Sequence, residues 1–176
     1  DPDGNTSEFS LALGVVSRGV CANPGFETPS VGNGFAYGPS GAIWTFINGA
    51  GLAGNNSAFT SGNPAAPEGT QVAFLQNTGA MSQSVYLVAG SYRLDFRAAQ
   101  RGNYQSSRQD FQVLVDGAVV GSYTPANTSY GAYSASFTVA AGNHVITFRG
   151  LNSAGGDNTA FIDAVAVSVA PPTNST

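Results

Sequence analysis

The chain has 176 residues, of which 42% are hydrophobic and only 9% are charged. This length fits one domain with a sizeable core. All six basic residues are arginines and the net charge is -4, which excludes a surface built to bind nucleic acid or an anionic membrane. No apolar run is long enough to span a bilayer. The single cysteine, Cys21, cannot form an internal disulfide and is expected to be a buried, inert thiol.

The two ends of the chain differ from its middle. The first residues, "DPDGNTSEFS", are rich in turn formers, and the last, "APPTNST", combine a Pro-Pro pair with a polar tail. Both compositions are typical of linkers. The sequence therefore predicts a linker from a preceding domain at 1–18, a β-sandwich module at 19–170 and a second linker at 171–176.

Segments with an apolar residue at every second position recur through the middle of the chain, with glycine-containing turns between them. No comparable segment has helical periodicity. The predicted strands are 42–47, 70–76, 82–88, 91–99, 110–117, 118–123, 133–140, 143–150 and 159–169. About nine short antiparallel strands in one domain predict an all-β fold, an antiparallel β-sandwich of the jelly-roll type.

The alternation within the strands also predicts which side chains point outward. Arg93, Asp95 and Arg97 share one face of their strand, and Gln112 occupies a similar position in the 110–117 strand. These residues predict a polar outer face on one sheet. Such a face is either ordinary solvated surface or a groove that hydrogen-bonds a polar ligand.

The last predicted strand places a carboxylate among apolar residues. In "DNTAFIDAVAVSV", alternation puts Asp163 on the same face as Phe161, Val165, Val167 and Val169. An ionised group without a partner in a dry core costs several kcal/mol or more. Asp163 therefore needs a ligand, a hydrogen-bonded cap or a shifted pKa.

Two motifs near the ends of the module resemble a known group. "NPGFETP" at 23–29 fixes Glu27 beside a turn, and "DNTAFIDAVAVS" closes the module. Together they resemble the signatures of galactose-binding-like jelly rolls, including the family 4 and family 22 carbohydrate-binding modules of secreted bacterial proteins. The intervening segments "IWTF", "APEGTQVAFLQ", "AGSYRLDFRAAQR" and "AAGNHVITFRGLN" fall in the order of such modules. The resemblance covers about residues 20–169.

The resemblance implies a structural calcium ion held by the early glutamate and the late aspartate, here Glu27 and Asp163. Calcium prefers six to eight oxygen ligands, which two carboxylates and main-chain carbonyls supply. Glu68 or Asp157 is a further candidate ligand that the motif does not specify. The competing explanation is that backbone N–H groups cap Asp163 or that Arg149 neutralises it.

Candidate ligand contacts lie mainly in loops. The single tryptophan, Trp44, is flanked by apolar residues and is expected in the core rather than on a sugar-stacking platform. Loops on a rigid sandwich often carry the binding residues. The residues predicted to contact a ligand are Tyr37, Arg97, Arg101, Asn103, Tyr104 and Gln112.

Catalytic machinery is sparse in this sequence. His144 is the only histidine, and no G-x-S-x-G elbow accompanies it. We therefore expect a non-catalytic carbohydrate-binding module, secreted or at a bacterial cell surface, that targets a larger protein to a polysaccharide. The expected partners are an oligosaccharide or polysaccharide and neighbouring domains of the same polypeptide. The alternative is a structural or adhesive spacer that binds no glycan.

Overall fold

The computed structural model describes residues 21–170, so the linkers predicted at 1–18 and 171–176 lie outside the described residues. A membrane-spanning helix is absent from the described part of the chain. The described residues form eleven strands: β1 (Phe35–Tyr37), β2 (Thr45–Ile47), β3 (Ala50–Gly54), β4 (Gln71–Gln76), β5 (Ala80–Leu87), β6 (Gly90–Gln100), β7 (Phe111–Val115), β8 (Ala118–Tyr123), β9 (Gly131–Val139), β10 (Gly142–Gly150) and β11 (Thr159–Val169).

The strands form two antiparallel sheets that pack face to face. One sheet has six strands in the order β1-β3-β4-β11-β6-β9, and the other has five in the order β2-β5-β10-β7-β8. Each inner face contributes alternate apolar side chains to one continuous core. The predicted all-β jelly-roll sandwich is confirmed, with eleven strands in place of about nine.

The two strands that the sequence pattern missed are β1 and β3. Strand β1 has only three residues, and β3 reads AGLAG, which resembles a turn more than a strand. The glycines of β3 are required by close backbone approach. A Cβ atom at Gly54 would lie 1.7 Å from the carbonyl oxygen of Gly32, and one at Gly51 would lie 2.0 Å from that of Ala36. Only glycine fits at such positions.

Trp44 lies in the main core, as predicted. Its side chain is buried, and its indole N–H donates to the carbonyl oxygens of Ala22 and Asn23 at 3.1 and 3.3 Å. Its ring packs against Phe26 with a centroid distance of 5.4 Å. Cys21 is also buried, and this burial raises the pKa of its thiol to about 12, so the thiol stays protonated and unreactive.

A β-bulge in β11 overturns the predicted face of Asp163. The register between β11 and β6 shifts between Asp163 and Ala166, and Ala164 has a left-handed backbone with φ of 50°. The bulge reverses the alternation, so Val165 and Val167 point into the main core. Asp163 instead follows Phe161 to the outer side of the sheet, and the expectation that all these residues share one face is wrong.

Residues 55–70, which join β3 to β4, fold over this outer face, and we call them the covering loop. Its Phe59 joins a second, smaller apolar cluster with Val72, Phe74 and Phe161. The ring centroids of Phe59 and Phe74 are 4.5 Å apart. The covering loop is therefore packed against the sheet by its own hydrophobic contacts.

The polar outer residues lie on two sheets rather than one. Arg97 belongs to β6 in the six-stranded sheet, whereas Gln112 belongs to β7 in the five-stranded sheet. Gln112 accepts a hydrogen bond from Arg149 on β10 at 2.9 Å. The prediction of one shared polar face is therefore wrong, because the outer faces of the two sheets lie on opposite sides of the core.

We expect Gly54→Ala to lower the free energy of unfolding by about 3 kcal/mol, because the new methyl group has no room beside Gly32. Urea denaturation of the purified domain measures this change. Gly90→Ala is the matched control, since a Cβ there meets only a Tyr92 ring carbon at 3.8 Å. Equal stabilities of the two variants would contradict the close packing of β3.

Candidate functional site

An open groove of about 450 Å³ lies beside the covering loop. Strand β1, the covering loop, the end of β4, the segment after β6 and the segment before β11 each contribute side chains to it. We call it the aromatic groove, and its lining residues are Phe35, Tyr37, Ala58, Phe59, Gln76, Arg101, Tyr104 and Asp157.

Aromatic rings form much of the groove wall. Phe35 and Tyr37 are 43% and 48% exposed, and Tyr104 is 76% exposed. Phe35 stands on the buried Phe59, with ring centroids 4.5 Å apart. Tyr104 has a left-handed backbone with φ of 54°, which is uncommon for a bulky residue. Exposed rings fixed in this way offer flat apolar faces to a ligand.

Arg101 lies buried at the base of the groove with only 4% of its side chain exposed. Its guanidinium carbon lies 4.0 Å from the centre of the Phe59 ring, and its Nε donates to Asn103 Oδ1 at 2.8 Å. Burial lowers the pKa of Arg101, while the charge of Asp157 raises it. The Nη1 atom has no hydrogen-bond partner among the described residues and lies 3.8 Å from Asp157 Oδ2.

A chain of polar groups runs along the groove beside Arg101. The hydroxyl of Tyr37 donates to Gln76 Oε1 at 2.7 Å, and Gln76 Nε2 donates to Asp157 Oδ1 at 3.1 Å. Burial and the nearby Asp157 charge raise the pKa of Tyr37, so its hydroxyl stays a donor. Asp157 Oδ2 accepts no hydrogen bond from the described residues. Arg101 Nη1 is enclosed by protein, whereas the Asp157 side chain is half exposed, so Asp157 Oδ2 is the acceptor that a ligand hydroxyl can reach.

The structure brings together part of the predicted ligand set. Tyr37, Arg101 and Tyr104 line the aromatic groove. Asn103 holds the wall in place, since its Nδ2 donates to Ala58 O at 3.0 Å and to Ser61 Oγ at 2.7 Å.

The other two predicted contacts, Arg97 and Gln112, lie outside the groove and on different sheets from each other. Gln76 and Phe59 belong to the groove but carry no signal in the sequence, since both read as ordinary strand or loop residues. Asp157 stands in the glycine-rich segment "SAGGDN" and was considered only as an additional calcium ligand. Its contacts are with the aromatic groove.

The carboxyl group of Asp163 is fully buried beneath the covering loop. Its Oδ2 accepts the backbone N–H of Glu68 at 2.8 Å, and its Oδ1 accepts that of Ala164 at 2.8 Å. Burial, with smaller contributions from the charges of Glu68 and Glu27, raises the pKa of Asp163 to about 7, although the two backbone hydrogen bonds act in the opposite direction. The predicted backbone cap is therefore present. Neutralisation by Arg149 is wrong, because Arg149 lies on the five-stranded sheet and bonds to Gln112.

Glu27 approaches the same region from the segment before β1. Its carboxylate accepts the backbone N–H groups of Thr70 and Gln71 at 3.0 and 3.1 Å, and the Thr70 hydroxyl at 2.9 Å. Two glycines make room for the acidic side chains. A Cβ at Gly69 would lie 2.3 Å from Glu27 Cδ, and one at Gly25 would lie 2.7 Å from Glu68 Cδ.

This carboxylate region suits a hard cation in its chemistry but is not a complete cage. Within residues 21–170, no three His, Cys, Asp or Glu side chains are grouped closely enough to hold a metal ion. A calcium ion bound by Glu27 and Asp163 would need main-chain carbonyl oxygens or water for its remaining ligands. Both carboxylates retain free lone pairs, and no described cation pairs with either of them.

His144 forms a structural pair on the five-stranded sheet. Its Nδ1 lies 2.6 Å from Asp116 Oδ2, and its Nε2 lies 2.9 Å from the carbonyl oxygen of Ala140. These bonds raise the pKa of His144 and lower that of Asp116. No serine takes part in the pair, so the arrangement lacks the nucleophile of a Ser-His-Asp site.

Comparison by sequence identifies no relative: no protein-family model matches the chain, and no curated protein matches it. Solved structures do match its fold. A family 61 carbohydrate-binding module in complex with β-1,4-galactotriose is 22% identical, with a TM-score of 0.57 over 88% of this chain and 100% of that one. The xylan-binding family 22 module of Paenibacillus barcinonensis Xyn10C is 10% identical, with a TM-score of 0.54 over 76% of this chain and 89% of that one.

The chain has the jelly-roll fold of carbohydrate-binding modules. A Stig cyclase from Fischerella sp. TAU, in complex with (3Z)-3-(1-methyl-2-pyrrolidinylidene)-3H-indole, shares this fold as well. It is 19% identical, with a TM-score of 0.62 over 88% of this chain and 99% of that one. The resemblance to family 22 thus has a structural counterpart, while the resemblance to family 4 stays an expectation. Because both binding modules and an enzyme have this fold, function has to be argued from the site.

We expect Arg101→Lys to lower the free energy of unfolding by about 1–2 kcal/mol, because an ammonium group cannot replace the planar stack on Phe59 and the bond to Asn103. Guanidinium chloride denaturation measures the loss. Arg93→Lys is the matched control, since Arg93 is half exposed and pairs only with Asp95. An Arg101→Lys protein as stable as the control would show that Arg101 does not hold the groove together.

Proposed function

We propose that this protein is a carbohydrate-binding module that holds a sugar in the aromatic groove. One observation carries this proposal. Asp157 Oδ2, an oxygen of a half-exposed carboxylate that accepts no hydrogen bond from the described residues, lies in a groove walled by exposed aromatic rings.

A pyranose ring fits these two features together. Its C–H face is apolar and packs on an aromatic ring, while its hydroxyls both donate and accept hydrogen bonds. Tyr37 and Tyr104 supply exposed rings, and Asp157 supplies a fixed acceptor for a sugar hydroxyl. Hydrogen bonds to charged groups contribute about 1.5–3 kcal/mol each, enough to fix the orientation of a sugar.

The fold supports the proposal without deciding the ligand. The family 61 and family 22 modules that share it are described as bound to β-1,4-galactotriose and as xylan-binding. We propose further that the module is non-catalytic and targets a larger secreted or cell-surface protein of a bacterium to a polysaccharide. Neighbouring domains of the same polypeptide would then carry any catalytic activity.

Binding of β-1,4-galactotriose and of xylotriose, measured by isothermal titration calorimetry, tests the aromatic groove. We expect at least one trisaccharide to bind, and Tyr104→Ala to weaken that binding about tenfold, because it removes a stacking ring worth about 1.4 kcal/mol. The fold should tolerate this change, since Tyr104 is 76% exposed.

Tyr86→Ala is the matched control for this experiment. Tyr86 is also an exposed tyrosine, but it lies on β5 in the five-stranded sheet and takes no part in the groove. Sugar affinity should be unchanged in this variant. Affinity that falls equally in both variants, or that does not change in Tyr104→Ala, would place the sugar elsewhere on the module.

We propose that a structural calcium ion binds Glu27 and Asp163. The fully buried carboxylate of Asp163, capped by two backbone N–H groups but paired with no cation of the described residues, supports this assignment, as do the two acidic groups beside it and the room that Gly25 and Gly69 leave for them. A cation there would offset the desolvation of Asp163 and join the segment before β1 to the bulge of β11.

Chelation tests the calcium proposal. At a free calcium concentration about one hundred times Kd, the ion adds about 2.7 kcal/mol to the free energy of unfolding. For a domain of this size, we expect EDTA to lower Tm by about 5–10 °C. Asp163→Asn should abolish the difference between calcium and EDTA. Asp116→Asn, a change in an exposed carboxylate paired with His144, should keep it.

Melting temperatures of the wild-type protein that agree in calcium and in EDTA would contradict the metal site. A calcium effect that persists in Asp163→Asn would place the ion elsewhere. A calcium effect without any sugar binding would favour the alternative function, a structural or adhesive spacer.

The aromatic groove also suits a second class of ligand. Four aromatic side chains line it together with one carboxyl group, and this combination could hold a flat heteroaromatic molecule. The Stig cyclase and a second cyclase from Fischerella sp. TAU that share the fold are described in complex with indole compounds. Titration with 4-(1H-indol-3-yl)butan-2-one, the ligand of one of them, distinguishes the two classes. Binding of this compound in place of every trisaccharide would replace the carbohydrate proposal.

A further inference from the structure

A second cleft, of about 610 Å³, lies on the outer side of the six-stranded sheet, beyond the aromatic groove. One wall is the end of the covering loop, the other is the segment before β9, and the floor includes β6 and the bulge of β11. We call it the Arg97 cleft, and the residues that matter here are Pro64, Pro67, Glu68, Arg97, Ser129 and Tyr130.

Arg97 carries a guanidinium group without a partner in the described part of the chain. No ion pair and no hydrogen bond joins it to a side chain or carbonyl of residues 21–170. Its neighbour on the same face of β6, Arg93, instead donates to Asp95 at 2.8 Å. Two arginines on one strand thus differ in that only the one inside the cleft is left unpaired.

Tyr130 presents a second polar group without a partner. Its hydroxyl is buried and has no hydrogen-bond partner in residues 21–170, although its ring packs against the second apolar cluster. Buried polar groups without a partner are rare and cost about 1–3 kcal/mol. The hydroxyl has almost no accessible surface, so a ligand in the cleft does not reach it.

Glu68 adds an acceptor of opposite charge to Arg97. Both side chains line the cleft, yet no ion pair joins them. The Glu68 backbone is fixed by its N–H bond to Asp163, and its carboxyl group lies against Gly25. The cleft therefore contains a donor, Arg97, and an acceptor, Glu68, that form no ion pair with each other and carry opposite charges.

The walls of the cleft are tied to their surroundings. Asn63 Nδ2 donates to the carbonyl oxygens of Gln100 and Thr128 at 2.7 and 2.9 Å, and Asn63 Oδ1 accepts the N–H of Gly102 at 2.8 Å. Asn63 thus connects the covering loop to both neighbouring segments. The cleft is formed before any ligand arrives, which reduces the entropy cost of binding.

We propose that the Arg97 cleft is a second binding site for a neutral sugar, which places two adjacent hydroxyls between Arg97 and Glu68. A vicinal diol can accept from the guanidinium and donate to the carboxylate. The balanced charges disfavour an anion, which Glu68 would repel, and a cation, which Arg97 would repel. Pro64 and Pro67 offer apolar surface for the sugar ring.

The covering loop forms a wall of both sites, because Ala58 and Phe59 line the aromatic groove while Pro64 and Glu68 line the Arg97 cleft. The inference rests on the proposed function in one respect, namely that the natural ligand is a glycan. It adds a second, independent contact, so a polysaccharide that occupied both sites would bind by avidity.

NMR titration tests the second site with the wild-type protein and three neutral trisaccharides: β-1,4-galactotriose, xylotriose and cellotriose. We expect saturable shifts of the Arg97 side-chain Nε–H and of the Ser129 and Tyr130 amides. These shifts should persist in Tyr104→Ala, which affects only the aromatic groove. The two sites are thereby measured separately within one experiment.

Two variants examine the chemistry of the cleft. Arg97→Gln should weaken the cleft-associated binding about tenfold, because it removes a charged donor. Arg93→Gln, on the same strand but outside the cleft, should leave it unchanged. Tyr130→Phe should leave the affinity unchanged while Tm stays equal or rises, since it removes an enclosed hydroxyl that has no partner among the described residues.

The proposal fails if no trisaccharide shifts the cleft resonances, or if Arg97→Gln and Arg93→Gln bind alike. Shifts confined to groove residues such as Tyr104 and Asp157 would overturn the second site and leave the proposed function intact. Shifts confined to the cleft would support the second site and contradict the aromatic groove.

Discussion

The β-bulge in β11 determines where the polar groups of this module lie. Without it, regular alternation would keep Asp163 on the same face as Val165 and Val167, which point into the core. The left-handed Ala164 absorbs the extra residue and turns Asp163 to the outer side. There its carboxyl group accepts the N–H of Glu68 and so fixes the end of the covering loop. One backbone irregularity thus gives a central strand two functions, core packing and loop attachment.

The covering loop, whose end Asp163 fixes, forms a wall of both candidate binding sites. Phe59, near its start, packs on Phe74 of the sheet and supports Arg101 and Phe35 from below. Asn63, in its middle, holds the neighbouring segments, and Glu68, near its end, meets Asp163. The loop is thus fixed along its length by apolar contacts, amide hydrogen bonds and a buried carboxylate. Such a loop behaves as a rigid wall, which is what a preformed binding site requires.

The sequence predicts the fold better than the site because the two depend on different kinds of information. Period-two alternation is a local pattern, and it located nine of the eleven strands of the described region and the core position of Trp44. The sequence pattern missed strand β3 because its glycines are required by close contact with the backbone of Gly32 and Ala36, and no local pattern reveals this contact.

The site depends on contacts between residues far apart in the sequence. Tyr37, Arg101 and Tyr104 were predicted from their loops, but Gln76 and Asp157 join them only through the order of strands in the sheet. Arg97 and Gln112 both occupy outward-facing positions of their strands in the sequence pattern, and only the sheet assignment shows that they lie on different sheets. The bulge also depends on contacts between distant residues. The sequence "IDAVAV" has the pattern of a regular strand, but the alternation of faces reverses at Ala164 because of the pairing with β6 and the hydrogen bond between Asp163 and the covering loop.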